Sequence, residues 1–503
     1  MSMPPVLAPL PIIVLAVLLH LSLIISSSAS LSATHHAKNT IPRYPDFQHL
    51  RVKETIADIR TNKPTKTPQH THEKEWKLEL MHRDNMVAPH HANFRDRFLE
   101  LMKRDARRVA GLVHRLSNAS TGRPFQVEED FGSEVLSGMD HGTWEYVIKI
   151  GVGSPPTTQY VVIDLGSDVV WVQCQPCDQC YPQSDPVFNP AHSGSFSRVS
   201  CSSAVCDRLD GGGCHKGQCM YEVSYADGSY TKGTLVLETL TLGRTTIQNV
   251  AIGCGHKNRG MFVGASGLLG LGGGSMSFLG QLGGQAGGAF TYCLASRGTG
   301  SSGWMEFGRG AFPVGVAWVP LLRNPRAPSF YYVGLSGLGV GGTQVPISED
   351  VFRLTELGDG GVVMDTGTPV SRLPTLAYEA FRDAYIAQTR NLPRVSGVSI
   401  FDTCYDLSGF VTVRVPTVSF YFSGGLILTL PAQNFLVPVN DAGTFCFAFA
   451  SSPSELSILG NIQQAGIQIS IDTLGVGITR QTGSHHGVNV KLSLGILATP
   501  PVT

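Results

Sequence analysis

A short motif occurs twice in this chain, once in each half. Residues 161–167 read VVIDLGS and residues 362–368 read VVMDTGT, so apolar residues lead into an Asp-x-Gly-Ser/Thr turn in both places. Each half also carries a later apolar run ending in glycine, around Leu268–Gly270 and around Ile458–Gly460. One Asp-x-Gly is weak evidence, because aspartate and glycine form ordinary turns. Two copies with matching partner runs predict two similar halves that bring Asp164 and Asp365 together.

The composition predicts mainly β structure. The chain has 503 residues, too many for one ordinary domain, with 57 Gly, 30 Pro and only 15% charged residues. Apolar and polar residues alternate between glycine-rich turns from about Trp144 onward. The run GLGVGG at 337–342 fits a dinucleotide-binding pattern, but no helix follows it, so we interpret it as a hairpin.

The first 137 residues differ from the rest of the chain. An apolar run at 12–25 predicts a signal peptide over residues 1–30. Residues 1–126 hold 18 of the 38 Lys and Arg but 10 of the 38 Asp and Glu, so this leader carries about +8 and the body about −8. This bias is also compatible with a solvated tail.

Within the leader, residues 93–116 predict an amphipathic helix with a basic face. A helix at a membrane surface is one interpretation, and a propeptide helix docked on the acidic body is the preferred one. The apolar stripe of this helix contains Phe94, Phe98, Leu101, Val109, Leu112 and Leu116. Its basic residues are Arg95, Arg97, Lys103, Arg104, Arg107 and Arg108.

The 11 cysteines all lie at or after Cys174. Cys174, Cys177 and Cys180 have C-x2-C-x2-C spacing, which suits zinc or an iron–sulfur cluster in a cytosolic protein. After a signal peptide, disulfides are the favoured interpretation. Because 11 is odd, one cysteine is left over.

Two facing aspartates predict acid–base chemistry. Two buried carboxylates in contact cannot both ionise easily, so they share one proton, and one acts as an acid while the other acts as a base. A water between them can then attack a peptide carbonyl. No metal and no cofactor is required.

Longer motifs carry a resemblance to a known family. They include EYVIKIGVGSPP (145–156), YADGSYTKGTL (225–235), FDTCYDLSGF (401–410) and ILGNIQQ (458–464), with LELMHRD (78–84) in the leader. With them the chain resembles the pepsin-family aspartic proteases, in particular the plant nepenthesin-like subgroup. The resemblance implies a mainly β, bilobal pepsin-like fold with pseudo-two-fold symmetry.

The resemblance also implies roles for individual residues. Asp164 and Asp365 are the expected catalytic pair, and Tyr225 and Gly228 belong to the flap, the hairpin that closes over substrate. The expected supporting residues are Gly166, Ser167, Trp171, Thr366, Gly367 and Thr368. The implied disulfides are Cys174–Cys177, Cys180–Cys254, Cys201–Cys219, Cys206–Cys214 and Cys404–Cys446.

Two features depart from the family pattern. The tail after residue 478 lacks the family's closing cysteine, so Cys293 is the cysteine left over. Leu165 stands where the family has Thr or Ser, whose hydroxyl bonds to the opposite loop. We expect Leu165 to loosen the site and to lower activity and stability, because it can neither donate nor accept a hydrogen bond.

The sequence therefore predicts a secreted aspartic endopeptidase made as a zymogen and acting at acid pH. The predicted segments are a signal peptide (1–30), a propeptide (31–137), an N-terminal lobe (138–322) and a C-terminal lobe (323–503). The expected partners are protein or peptide substrates, with no nucleic acid, no stable membrane association after signal cleavage and a monomeric state. The expected compartment is extracellular, with the vacuole and endoplasmic reticulum left open. The alternative is a silent pepsin-like protein that binds a partner, as related glycosidase inhibitors do.

Overall fold

The computed structural model describes most of the chain from residue 46 onward, within one compact unit, Pro45–Thr503. The described ranges are 46–61, 77–82, 94–119, 146–225, 228–260, 262, 264–283, 286–295, 303–314, 316–472, 475–480 and 493–494. The predicted signal peptide and most of the tail after residue 478 lie outside these ranges. Among the described residues, no helix is both long and apolar enough to cross a membrane.

Strands dominate the fold, as the alternating glycine-rich sequence predicted. The largest of the sheets has 16 strands. Two of them pair at the side of the main path: Ser493–Leu494 with Gly475–Arg480, and Ser197–Arg198 with Tyr230–Leu242. The main path runs, in spatial order, through Ala317–Val319, Gly475–Arg480, Ile467–Asp472, Ala289–Cys293, Gly303–Phe307, Lys77–His82, Tyr146–Val152, Thr157–Asp164, Gly267–Gly270, Trp171–Gln173, Thr245–Arg259, Tyr230–Leu242, Gln218–Ser224 and Gly213–His215.

The smaller sheets lie mostly in the second half of the chain. A six-stranded sheet contains Leu321–Leu322, Tyr331–Val333, Val362–Met364, Ser457–Leu459, Ser371–Pro374 and Phe449–Ser452. Two four-stranded sheets contain Thr343–Gln344, Leu335–Val340, Val418–Phe422 and Ile427–Leu430, and Arg394–Val395, Cys404–Asp406, Thr444–Phe447 and Leu436–Pro438. A two-stranded sheet pairs Phe47–Leu50 with Val413–Pro416.

In the part of the chain that the structure describes, helices are few and mostly short. The α-helices are Val52–Thr61, Phe94–Ala119, Phe278–Leu282, Thr375–Gln388 and Asn461–Gln464. The 3-10 helices are Pro190–His192, Cys206–Arg208, Arg309–Ala311, Glu349–Phe352 and Ala432–Asn434.

The two halves repeat one local topology around the aspartates. Thr157–Asp164 runs parallel to Gly267–Gly270, and Val362–Met364 runs parallel to Ser457–Leu459. These pairs join each Asp-x-Gly strand to its predicted apolar partner run. Parallel neighbours require a long crossover, so residues far apart in sequence meet beside each aspartate. This repeat is the pseudo-two-fold symmetry that the sequence predicted.

The predicted hairpin at residues 337–342 is also confirmed. Leu335–Val340 pairs antiparallel with Thr343–Gln344, and Gly341 and Gly342 form the turn with φ of 57° and 73°. Positive φ at both turn positions favours glycine, which explains the Gly-Gly pair without any phosphate-binding role.

Four of the five predicted disulfides are wrong. The structure joins Cys174 to Cys254 and Cys177 to Cys180, instead of Cys174 to Cys177 and Cys180 to Cys254. Cys174 follows the strand Trp171–Gln173, which lies parallel to Thr245–Arg259, so Cys174 and Cys254 have a Cα–Cα distance of 5.3 Å. Strand pairing therefore decides the partner. The cysteines of the C-x2-C-x2-C run are consumed as disulfides, which excludes a metal site built from them.

The second pair of bridges is exchanged in the same way. The structure joins Cys201 to Cys214 and Cys206 to Cys219, instead of Cys201 to Cys219 and Cys206 to Cys214. Cys214 and Cys219 are cross-strand neighbours in one hairpin, so each is within reach of the same segment. Four cysteines allow three pairings, and their spacing alone does not choose among them.

The last predicted bridge is confirmed. Cys404 and Cys446 are cross-strand partners and form a disulfide with a Cα–Cα distance of 4.0 Å. Cys293 is the cysteine outside the five bridges, as predicted, and its side chain is buried.

Candidate active site

Asp164 and Asp365 are held by matching sets of donors. The Gly166 N–H donates to Asp164 Oδ1 at 3.0 Å, and the Ser167 hydroxyl donates to Oδ2 at 2.6 Å. In the second half, the Gly367 N–H and the Thr368 hydroxyl donate to Asp365 Oδ1 and Oδ2 at 3.0 and 2.5 Å. Both aspartates are buried. Each Asp-x-Gly-Ser/Thr turn thus fixes the carboxylate that it carries.

Leu165 and Thr366 are the equivalent central residues of the two Asp-x-Gly loops, and only the Thr366 side chain hydrogen-bonds to the opposite loop. The Leu165 N–H donates to Thr366 Oγ1 at 3.4 Å, and this hydroxyl donates to the Ile163 carbonyl at 3.4 Å. Leu165 has no polar side-chain atom to return the contact. Its side chain is 0% exposed and packs in the main hydrophobic core. The link between the loops is therefore one-sided, as the substitution predicted.

A leader residue, Arg108, bridges the two aspartates. Its Nη2 lies 2.7 Å from Asp164 Oδ1 and 3.0 Å from Asp365 Oδ1, and its Nε lies 3.1 Å from Asp365 Oδ2. Its side chain is 18% exposed. A Cβ on Gly367 would lie 2.2 Å from Arg108 Nη2, so the glycine leaves the space that the guanidinium occupies.

This arrangement changes the proton affinity of the buried groups. Burial raises the pKa of Asp164, but the Arg108 guanidinium and hydrogen bonds from Ser167 and Gly166 outweigh burial and lower it. Burial lowers the pKa of Arg108, but the two carboxylates outweigh burial and raise it well above its usual value. Arg108 therefore remains a cation and stabilises Asp164 as a carboxylate.

Arg108 belongs to the helix Phe94–Ala119, which we call the cleft helix. Its first half packs Phe98, Leu101 and Met102 against a cluster that includes Val370 and Phe401. Its second half packs Val109 and Leu112 against Tyr332, Val363, Leu456 and Ile458. The predicted apolar stripe is thereby confirmed as a docking face on the body of the protein, and the membrane-surface interpretation is not needed.

The basic residues of the cleft helix do not act alike. Arg108 reaches the two aspartates and Arg104 is buried, whereas Arg95, Lys103 and Arg107 are exposed. Lys103 pairs with Glu100 of the same helix at 2.6 Å. The charge pattern predicted attraction between leader and body, but only the packing selects Arg108 as the residue at the carboxylates.

Of the predicted flap residues, Tyr225 lies close enough to Asp164 for the charge of that carboxylate to act on its hydroxyl. The Trp171 indole N–H donates to the Tyr225 hydroxyl at 2.7 Å, and both side chains are buried. Phe262 packs edge-on against both rings, with centroid distances of 5.0 and 5.3 Å. Gly228 is exposed and has φ of 81°, a conformation that favours glycine. Phe262 was missed because no sequence motif marks it.

No group of three or more His, Cys, Asp or Glu within the described ranges has a geometry that could hold a metal ion. The site consists of carboxylates, hydroxyls, backbone N–H groups and one guanidinium. Such a set can exchange protons and position a polar bond.

Comparisons with known proteins agree with this geometry. The family model described as xylanase inhibitor N-terminal matches residues 146–309, and that described as xylanase inhibitor C-terminal matches residues 330–475. Aspartic Protease in Guard Cell 2 of Arabidopsis thaliana is 61% identical over 435 residues, covering 85% of this chain and 92% of that protein. Aspartic proteinase nepenthesin-1 of Nepenthes gracilis is 38% identical over 347 residues, covering 68% and 78%.

Solved structures support the fold. The crystal structure of edgp has a TM-score of 0.56 at 20% identity and covers 66% of this chain and 91% of its own. Conglutin gamma, a basic 7S globulin from lupine seeds, has a TM-score of 0.52 at 20% identity with the same coverage. Together with the sequence relatives, these matches confirm the predicted family: the chain belongs to the plant pepsin-like aspartic proteases and is an aspartic-type endopeptidase.

Proposed function

We propose that this endopeptidase is made as an inactive zymogen, in which residues 31–137 are a propeptide and Asp164 and Asp365 are the catalytic pair. The observation that carries the proposal is the contact of Arg108 with both carboxylates. Its Nη2 atom lies within hydrogen-bond distance of both Oδ1 atoms, where a water would otherwise be activated. While Arg108 stays there, no substrate carbonyl reaches the pair.

In the active form, the two aspartates share one proton after Arg108 leaves. One carboxylate removes a proton from a water as it attacks the peptide carbonyl, and the other carboxyl protonates the carbonyl oxygen. The roles reverse when the amine departs. Gly166, Ser167, Gly367 and Thr368 hold the carboxylate oxygens through these steps, because their hydrogen bonds do not involve the propeptide.

The flap closes over the bound peptide in this scheme. Tyr225 supplies the aromatic wall, Trp171 orients it through the bond to its hydroxyl, and the backbone of Gly228 contacts substrate. A closed flap excludes water and strengthens the electrostatic interactions of the buried carboxylates.

Further contacts hold the leader on the body. Phe47–Leu50 pairs antiparallel with the strand Val413–Pro416, and Leu50 and Val52 are buried in the main core. Lys77–His82 pairs with both Gly303–Phe307 and Tyr146–Val152. These contacts support an anchored propeptide. Cleavage between residues 120 and 145 would leave the inhibitory helix bound until it dissociates.

We further propose that the mature enzyme is a secreted monomer that acts on proteins or peptides at acid pH. The extracellular space is the proposed compartment. The silent binding protein is not favoured, because a binding scaffold has no need of two carboxylates held by four matching donors.

The test compares three full-length precursors: wild type, Arg108→Gln and Lys103→Gln. Lys103 is the matched control because it is exposed on the same helix. Cleavage of an internally quenched peptide is measured in the first minutes, with gels to confirm that the precursor is intact and pepstatin as the inhibitor. Breaking a buried ion pair costs about 3–5 kcal/mol, so Arg108→Gln should raise precursor activity at least about tenfold. Equal latency in all three precursors would refute the zymogen mechanism, and loss of the activity in Asp365→Asn is required for the catalytic assignment.

A further inference from the structure

A second ion pair lies beneath the cleft helix, between Asp105 and Arg372. The Arg372 Nη2 donates to Asp105 Oδ2, and the Val370 N–H donates to Asp105 Oδ1 at 3.2 Å. The Arg372 side chain is 4% exposed and the Asp105 side chain is 0% exposed. Within the described part of the chain, this is the only hydrogen bond that the Arg372 guanidinium makes.

The pair lies under the cleft helix, close to the catalytic aspartates. Asp105 is three residues from Arg108, so both side chains are on one face of the cleft helix, about 4.5 Å apart along its axis. Arg372 lies seven residues after Asp365, on the strand Ser371–Pro374 that carries the chain away from the site. The negative charge of Asp365 is close enough to act on Asp105.

Apolar side chains surround this position. Val370, Phe401 and Ile462 belong to the cluster that the cleft helix covers with Phe98 and Met102. The rings of Phe98 and Phe401 have a centroid distance of 6.0 Å. When the helix leaves, it uncovers an apolar surface with one guanidinium and one backbone N–H at its base.

When the cleft helix leaves, the Arg372 guanidinium and the Val370 N–H both lose Asp105 as their acceptor. A buried guanidinium that loses its partner is strongly destabilised, and so is a buried N–H that loses its acceptor. A carboxylate that enters from a bound peptide restores both interactions. Water can solvate these groups in the empty cleft, but a substrate that covers the cleft displaces that water.

We propose that Arg372 and the Val370 N–H form a substrate subsite that binds an acidic side chain, and that Asp105 occupies this subsite in the precursor. The inference rests on the proposed zymogen and extends it to substrate selection. The preferred substrates are peptides with Asp or Glu at one position beside apolar residues. Arg372 is a specificity-determining residue and takes no part in proton transfer.

The test uses the activated enzyme and pairs of quenched peptides. In each pair one position near the scissile bond carries Asp or Asn, and the position is moved along the peptide. The assay is run at about pH 5.5, where a carboxyl of ordinary pKa is ionised. This margin is needed because burial raises the pKa of Asp105, although Arg372 opposes the rise, and a substrate carboxyl at the same place meets the same surroundings. A charge-assisted pair should give about a 10- to 100-fold higher kcat/KM for Asp than for Asn at one position.

Three variants complete the test. Arg372→Gln should abolish the preference for Asp, and Arg372→Lys should retain part of it. Arg353→Gln is the matched control, because Arg353 is exposed and pairs only with Asp350 among the described residues. It should keep the full preference. Should Arg372→Gln fail to fold, the comparison of the Asp and Asn peptides on wild-type enzyme still tests the subsite, because equal rates at every position overturn it.

The outcomes separate the subsite from the proposed function. Cleavage of both peptides at equal rates at every position overturns the subsite and leaves the endopeptidase proposal intact. A preference for Asp that persists in Arg372→Gln also overturns it. Cleavage of none of the peptides by wild-type enzyme overturns the proposed activation, and the substrate role of Arg372 with it.

Discussion

Replacing Leu165 with Thr should raise activity and lower thermal stability. Thr366 now hydrogen-bonds to the loop that carries Asp164. Because the two loops are symmetric, a hydroxyl at residue 165 would make the equivalent hydrogen bonds to the loop that carries Asp365. Those existing bonds are long, at 3.4 Å each, so the loop that carries Asp164 has room to be tightened. The sequence alone predicted that both activity and stability would rise. Burial of Leu165 in the core reverses the expectation for stability.

The magnitudes come from burial and hydrogen bonding. Leu165 is 0% exposed, and Thr has roughly two fewer buried carbon groups, which costs about 1.6 kcal/mol. The two new hydrogen bonds would be as long as the 3.4 Å pair that Thr366 makes, so together they are counted as one bond of ordinary strength and return about 0.5–1.5 kcal/mol. The net change is a loss of about 0.1–1.1 kcal/mol, or a melting temperature lower by up to about 3 °C. One hydrogen bond that positions Asp164 is expected to raise kcat/KM about fivefold.

The matched control is Leu165→Val, which has the shape of Thr without the hydroxyl. Both variants are compared with wild type by thermal denaturation and by kcat/KM on one quenched peptide at acid pH. Val should lower the melting temperature and leave kcat/KM near the wild-type value. If Thr raises kcat/KM no more than Val does, the hydroxyl has no positioning role. A higher melting temperature for Leu165→Thr than for wild type would show that the stability assigned to the buried carbon groups of Leu165 is wrong.

Other expected outcomes follow from single contacts. Trp171→Phe removes the donor to the Tyr225 hydroxyl and should lower kcat/KM about fivefold, whereas Trp318→Phe, at a partly exposed site, should not; equal effects would contradict the orienting role. Because Arg108 lowers the pKa of Asp164 below 3.8, their contact is fully present above that pH and is lost as the pH falls through the lowered pKa. The Arg108-dependent part of precursor conversion should therefore appear only below about pH 3.8, and Arg108→Gln should lack it; a transition near pH 6 in gel-monitored conversion would argue against this. Burial raises the pKa of Cys293 to about 12, so a thiol reagent at pH 8 should react with it only after the protein is unfolded in denaturant.

Much of the fold was readable from local sequence. The alternation of apolar and polar residues set the strands, and the duplicated Asp-x-Gly motif identified Asp164 and Asp365 and the strands beside them. The turn hydrogen bonds from Gly166, Ser167, Gly367 and Thr368 follow from residues two and three positions away from each aspartate. Such contacts depend on backbone geometry over a few residues, which the sequence specifies directly.

Contacts between distant segments were decided only by the tertiary structure. Six basic residues of the leader were equivalent in the sequence, and packing of the apolar stripe selected Arg108 for the two carboxylates and buried Asp105 against Arg372. Strand pairing exchanged the partners of Cys174 and Cys254 relative to the family-based expectation. Leu165 looked like a lost hydrogen bond in the sequence, and its environment makes it also a core side chain. Which side chains meet across hundreds of residues depends on how whole strands and helices pack together, and no local pattern encodes that.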